Sequence, residues 1–292
     1  MRIAISHKTR LEYSADVVEG VMDARLGPLS DYHQRWERYD LRVRPTASVR
    51  RYTDGFGNTS HQITIPRPHR FVEVVSGGEV ETFLVDPFAL PKVRPRPLSP
   101  AERADYLNPS PLVARHPELD RIASPFRPND PGGAFDAVQR LMKLIYDTFE
   151  YKQNVTSVTT LVPEVLACRT GVCQDFAHVL IGLCRAIGIP ARYVSGYIVV
   201  STQSQSQSLG DMSQSQSQGP GRGGGASHAW IEAYTPTHGW RGFDPTNNLV
   251  ASLNHVKMAI GRDYSDVPPT RGSFRGSAEE RLDVAVTAEQ IG

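Results

Sequence analysis

Residues 169–197 read RTGVCQDFAHVLIGLCRAIGIPARYVSGY, and the fold is decided there. Cys173, Phe176, Ala177, Leu180, Ile181, Cys184 and Ile187 recur at the i, i+3, i+4, i+7 spacing of one buried helix face. Thr170 is read as the N-cap, since its hydroxyl can accept from a free N–H of the first turn. Gly188 can adopt the left-handed conformation past the helix end, and Pro190 prevents the helix from resuming. Residues 191–200 then turn β-branched and aromatic, which predicts a strand. Cys173 therefore falls in the first turn of a core helix. Free N–H groups and the positive end of the helix dipole favour a thiolate there.

A nucleophile needs a base, and the base needs an orienting group. Downstream, residues 227–234 read SHAWIEAY and residues 239–247 read GWRGFDPTN. His228, Trp230, Glu232 and Tyr234 alternate with Ala229, Ile231 and Ala233, a period-two strand with His228 near its start. Thr237, His238 and Gly239 form a turn signal, and residues 240–244 read as the partner strand of a hairpin. An antiparallel pair can set Asp244 beside His228. Cys173, His228 and Asp244 thus make a candidate catalytic triad in which a carboxylate holds a thiolate–imidazolium pair.

These segments resemble the transglutaminase-like superfamily, specifically its bacterial branch. The resemblance rests on GVCQDFAHVLIGLCRAIGIPARYVSGY, SHAWIEAY and GWRGFDPTN, with the family's Cys, His and Asp falling on Cys173, His228 and Asp244. The N-terminal part resembles the β-rich domain that precedes the core in this branch, most clearly at Asp54, Gly55, Phe56, Gly57 and Asn58. The resemblance covers most of the chain. It implies an α+β, papain-like core, a cysteine helix packed on an antiparallel sheet, and thiol chemistry on amides. The superfamily includes transglutaminases, peptidases, amidases and members without activity.

The 292 residues suffice for one large core or two smaller ones, and 39% hydrophobic with 22% charged residues is ordinary for a globular chain. A net charge of +1 supplies no basic field for nucleic acid or an anionic membrane; the resemblance implies a protein or peptide substrate as the partner. The opening MRIAISHKTRLEYS lacks an apolar run of signal-peptide length, and three cysteines make no disulfide framework. The expected compartment is a reducing cytoplasm. No motif sets an oligomeric state.

Taken in order, residues 1–86 read as a small β-sandwich or barrel, with strands at 2–9, 41–49, 61–65 and 71–75. The Asp54–Asn58 cluster is a hairpin-like connection whose glycines supply positive φ. His7, His33, His61 and His69 match no metal spacing and read as surface or packed histidines. Residues 87–131, rich in proline and arginine, read as a linker with short helical turns at 99–106 and 110–115. Residues 132–292 form the expected catalytic core. It contains an amphipathic helix at 134–149 and a short helix at 161–167. A strand or turn follows at 256–262, and a strand at 282–288 closes the core. Residues 202–225, alternating serine and glutamine before GPGRGGG, carry almost nothing apolar and read as a disordered insert.

Other readings compete at single residues. Cys173 taken alone could be a buried structural cysteine, His228 a core histidine and Asp244 a turn residue before Pro245; their order and context favour the triad. Cys184 reads as inert packing. Zinc held by Cys168, Cys173 and His178 lacks a fourth ligand and has poor helical spacing. Asp175 suits the helix dipole and is assigned a structural role. The backbone N–H of Cys173 is one oxyanion donor, with Gln153 or Asn154 as candidates for the second. Attack on an amide gives a thioester; water then completes hydrolysis, whereas a lysine amine would make a crosslink. Hydrolysis is favoured, because transfer needs a water-excluding amine site for which no signature exists. A non-catalytic interaction module on the same scaffold is the remaining alternative. No metal, nucleotide or flavin motif is present, so no cofactor is expected.

Overall fold

The computed structural model describes residues 1–199 and 227–292, so the expected Ser/Gln-rich insert at 202–225 lies outside the described residues. The N-terminal region opens with six strands. They are β1 (Arg2–Val17), β2 (Glu19–Ala24), β3 (Gln34–Arg44), β4 (Ser48–Thr53), β5 (Thr59–Ile65) and β6 (His69–Thr82). Along β1 buried and exposed residues alternate, as a half-buried strand requires. Leu11, Val72 and Val74 of one sheet pack on Met22, Ile63 and Ile65 of the other, so the unit is a β-sandwich. The strand expected at 41–49 is instead divided between β3 and β4. Pro45 lies at the break, where it cannot donate to a ladder.

Both sheets are completed from the far end of the chain. Strands β14 (Thr270–Arg275) and β15 (Glu280–Gln290) return to pair antiparallel with β2 and β1, giving orders β14-β2-β5-β4 and β15-β1-β6-β3. Leu11 faces Leu282 and Ile3 faces Gln290. This redraws the expected boundaries. The alternating segment at 282–288 is a strand, but it closes the N-terminal sandwich and not the catalytic core of 132–292. Its period of two says which face is buried and leaves the pairing edge unspecified.

The expected linker is extended only in its first part. It then forms α1 (Pro100–Leu107) and α2 (Pro117–Ala123), the latter replacing the turn expected at 110–115. Pro117 starts α2 at a position where its missing N–H costs nothing, and His116 caps it. Leu119 and Ala123 are buried in the main core, so this segment belongs to the body that carries the site.

That body contains α3 (Ala134–Thr148), β7 (Glu150–Tyr151), α4 (Val162–Cys168), β8 (Thr170–Gly171) and α5 (Cys173–Ala186). The strands β9 (Ala191–Ile198), β10 (His228–Thr235), β11 (Gly239–Asp244), β12 (Leu249–Val250) and β13 (His255–Gly261) follow. They form one antiparallel sheet of order β12-β11-β10-β9-β13. Helix α5 lies against Ala229, Ile231 and Ala233 of β10, whose small side chains allow close approach. A Cβ on Gly182 of α5 would come within 2.8 Å of a Leu119 methyl, so the glycine lets α2 cross closely there.

The outer edge of β13 is closed by two side-chain amides from the sandwich. Gln34 donates to the carbonyl of Lys257 and accepts from its N–H, both at 2.8 Å. Asn58 makes the same pair of bonds with Ile260, again at 2.8 Å. A register shift between Lys257 and Ala259 lets both residues face outward. Each amide supplies the donor and acceptor that a neighbouring strand would have supplied. The Asp54–Asn58 turn, singled out by its sequence, serves this end. Asp54 accepts from the N–H groups of Phe56 and Asn58 and from the Asn58 side chain, which aims the amide at Ile260.

Candidate active site

Cys173 is the first residue of α5, half-buried, with Phe149, Tyr151 and Phe176 among the aromatic groups nearby. The N-cap is Val172, not Thr170, which is drawn into β8 by parallel pairing with Glu150. Asp175 takes over the capping: its Oδ2 accepts from Val172 N–H at 2.8 Å and from Thr156 Oγ1 at 2.7 Å. Burial pushes the Asp175 carboxyl up, opposed by those two hydrogen bonds. Gly171 is required beside it, since a Cβ there would fall 2.6 Å from Asp175 Oδ2. The structural role assigned to Asp175 is thus the positioning of the turn that begins with Cys173.

His228 opens β10 and Asp244 ends β11, and both are buried. Their side chains meet, with His228 Nε2 at 2.9 Å from Asp244 Oδ2. The thiol of Cys173 is a further neighbour of the same imidazole. Burial works against charging His228. The charge of Asp244, its hydrogen bond and the neighbouring Cys173 overcome this, and the imidazole is pushed up to about 10. Asp244 is held well below the usual carboxylate range: burial opposes the charge, and His228 and then His255 outweigh it. The three residues expected from the sequence are therefore brought into one cluster.

Asp244 is fixed by its own turn, where the sequence reads Asp-Pro-Thr-Asn. Its Oδ1 accepts from the N–H of Thr246 at 2.9 Å and of Asn247 at 3.3 Å, and Asn247 Nδ2 donates to Oδ2 at 2.8 Å. His255, at the start of β13, stands with Nε2 at 3.5 Å from the same Oδ2. Trp230 lies between the two imidazoles, stacked on His228 with centroids 6.1 Å apart and edge-on to His255 at 5.2 Å. Glycines make room for its indole. A Cβ on Gly196 would approach the ring within 2.5 Å, and one on Gly242 would approach Trp230 Nε1 within 3.2 Å. Trp230 thus packs beneath the site.

Tyr151 and Gln153 complete the neighbourhood. The β7–β8 pairing sets Tyr151 opposite Gly171, and burial raises its phenol, with the charge of Cys173 adding and a hydrogen bond from Gln153 subtracting. Asn154 occupies the left-handed region at the loop tip, φ +62°. His178 is buried on α5, where its Nε2 accepts from Tyr264 N–H at 3.1 Å, and burial draws it down to about 4. Among the described residues no group of three His, Cys, Asp or Glu side chains is arranged to hold a metal ion. Cys184 is fully buried, and burial pushes its thiol up. Sequence reasoning singled out neither Tyr151 nor the proximity of His255 to Asp244. Neither has a local signal.

Residues 121–245 match the transglutaminase-like superfamily core, and residues 3–81 match the bacterial transglutaminase-like N-terminal region. An uncharacterized protein of Mycobacterium tuberculosis is 31% identical, with 98% of this chain and 91% of that protein covered. One from Mycobacterium leprae is 28% identical over 99% of each chain. A solved structure described as "a putative cysteine protease" from Cytophaga hutchinsonii superposes with a TM-score of 0.73 at 23% identity, covering 99% of this chain and 90% of that one. The fold is thus shared across both regions. The chain belongs to the transglutaminase-like superfamily. That membership supports a cysteine-dependent enzyme as its general class.

Proposed function

We propose that the protein is a thiol hydrolase of peptide or amide bonds, with Cys173 as nucleophile, His228 as its acid–base partner and Asp244 as the orienting carboxylate. The observation that carries this reading is the buried imidazole of His228, held at 2.9 Å by Asp244 with the Cys173 thiol beside it. An imidazole that retains its proton at neutral pH offers a cation to the sulfur, the condition for a thiolate–imidazolium pair. The thiolate attacks the substrate carbonyl. The backbone N–H of Cys173, in the first turn where no helical acceptor exists, faces the developing oxyanion. His228 gives its proton to the departing amine, leaving a thioester on Cys173. It then takes a proton from water, the hydroxide attacks the thioester, and the carboxylic acid is released as the thiolate re-forms.

The test follows both fates of the thioester. The protein is incubated with a denatured protein substrate and a fluorescent primary amine, and new termini, ammonia and incorporated amine are all measured. New termini or ammonia without incorporation, lost in Cys173→Ala, is the expected result. Incorporation of the amine as the main product would replace hydrolysis by transfer. No product of either kind across a broad substrate panel, with Cys173 unreactive, would leave a non-catalytic module.

A further inference from the structure

We propose that His255 is a second positioning imidazole for Asp244, holding the carboxylate against His228 Nε2 both in the resting ion pair and after His228 has given up its proton; the proposal rests on the thiol-hydrolase reading above. His255 is buried, with 4% of its side chain exposed, and Asp244 is fully buried. Asp244 Oδ2 is the nearest acceptor recorded for His255 Nε2, at 3.5 Å, and neither ring nitrogen of His255 has a closer hydrogen-bond partner among the described residues. A buried polar ring left without partners is costly, so its place in the core calls for a reason. Its orientation is constrained on both sides: the backbone N–H is bound to Ser252, and the ring stands edge-on to Trp230 at 5.2 Å.

The reaction supplies the reason. With His228 protonated, Asp244 faces a cation and its charge is matched. Once His228 has passed its proton to the leaving amine, the carboxylate stays charged in a fully buried position opposite a neutral ring. Beside the Nε2–H that the neutral His228 keeps on Oδ2, two further donors reach that oxygen, Asn247 Nδ2 at 2.8 Å and the N–H of His255. Asn247 approaches from the turn of Asp244 itself, whereas His255 comes from β13, on the far edge of the sheet. Fixation from a second element prevents the carboxylate from turning with its own loop. A cavity of about 20 Å³ borders His255, Trp230 and Lys257, so the ring is not packed tightly on every side.

The test uses the full chain and reads the rate at which iodoacetamide alkylates Cys173, with melting curves for every variant. His255→Phe keeps a ring against Trp230 and removes the donor. His255→Gln places an amide N–H where Nε2 stood. We expect H255F to slow alkylation about tenfold and H255Q to stay within about threefold of the parent, the range for a hydrogen bond to a charged group. In the Asp244→Asn background H255F should add less than about a further twofold, because the effect runs through Asp244. Should H255F fail to melt cooperatively, His255→Asn, whose amide is too short to reach Oδ2, replaces it with the same slowing expected. Parent-like alkylation in H255F overturns the proposal, as does equal slowing in H255Q, or undiminished slowing on the D244N background. Failure of the hydrolase reading looks different, since Cys173 of the parent would then alkylate no faster than the exposed Cys168.

Discussion

His228 and Glu232 stand on the same strand, β10, both buried and both paired with opposite charge, yet their surroundings differ in kind. Glu232 is held by Arg192 Nε at 2.8 Å and Lys257 Nζ at 2.6 Å, and Lys257 also binds Asp31 of the sandwich. Burial opposes the charge on Glu232, but Lys257 and Arg192 outweigh it and hold the carboxyl far below its ordinary value. Those cations stay charged across the physiological range. At Asp244 the partners are imidazoles and a side-chain amide, and one imidazole adjoins a half-buried thiol. Saturation with permanent charge makes a fastening; pairing with a group that can release its proton makes chemistry possible. On the proposed reading, two positions on one strand divide into structure and reaction by the titration range of their partners.

Exchanging the carboxylates for amides tests that division. Asp244→Asn should reduce turnover by about 10³- to 10⁴-fold while the protein still melts cooperatively, because an amide can hold the wrong imidazole tautomer and cannot support the imidazolium. Steady-state kinetics beside a melting curve would decide it, and near-parental turnover would remove Asp244 from the mechanism. Glu232→Gln should do the reverse. Stripping the anion from two buried cations should cost about 3–5 kcal/mol of stability while leaving Cys173 alkylation at the parental rate per folded molecule. Denaturant titration measures the first quantity and peptide mapping the second. A large loss of alkylation in this variant would mean that the two clusters are one.

The pH dependence of the same variants sharpens the contrast. His228 is raised from its ordinary 6.5 to about 10, so its stabilising contribution is fully present below pH 6.5 and is lost as pH rises through about 10. Asp244 is depressed, so its contribution is present above its ordinary 3.8 and is lost as pH falls through the lower folded value. The stability gap between parent and D244N should therefore be widest between those two ordinary values and should close toward alkaline pH. The gap for E232Q should stay flat from about pH 5 to 9, since both cations are raised and the carboxylate lowered. Denaturant curves at four pH values suffice, and parallel gaps would contradict the distinction. Smallest is the expected effect of Asn58→Ala, which leaves one N–H and one C=O of Ile260 unpaired. A loss of about 1–3 kcal/mol with unchanged alkylation should follow, whereas a neutral variant would show that water replaces the amide.

Much of the core was legible because its signals are local. The period of α5, the glycine and proline at its end, and the alternation through Ala229, Ile231 and Ala233 each depend on neighbours within a turn or two. The meeting of His228 and Asp244 was within reach because a short hairpin joins β10 to β11 and limits the registers available. What was not legible depends on partners far along the chain. Nothing in LDVAVTA says that it pairs with β1, and nothing in HVKMAIG announces that His255 approaches Asp244 across two intervening strands. Thr170 lost the cap to Val172 and Asp175 for the same reason, because pairing with Glu150 of β7 outranks a local hydroxyl bond.

The return of β15 to β1 also sets an order in time. A ribosome delivers Arg2–Val17 well before Glu280–Gln290, so the outer edge of β1 waits for this partner through the making of everything between. The amides of Gln34 and Asn58 that shelter β13 are carried by that same unfinished sandwich. The thiol of Cys173 thus emerges on a nascent chain whose supporting wall is still open. Pairing of β15 with β1 therefore comes only after every residue of the candidate site has been made.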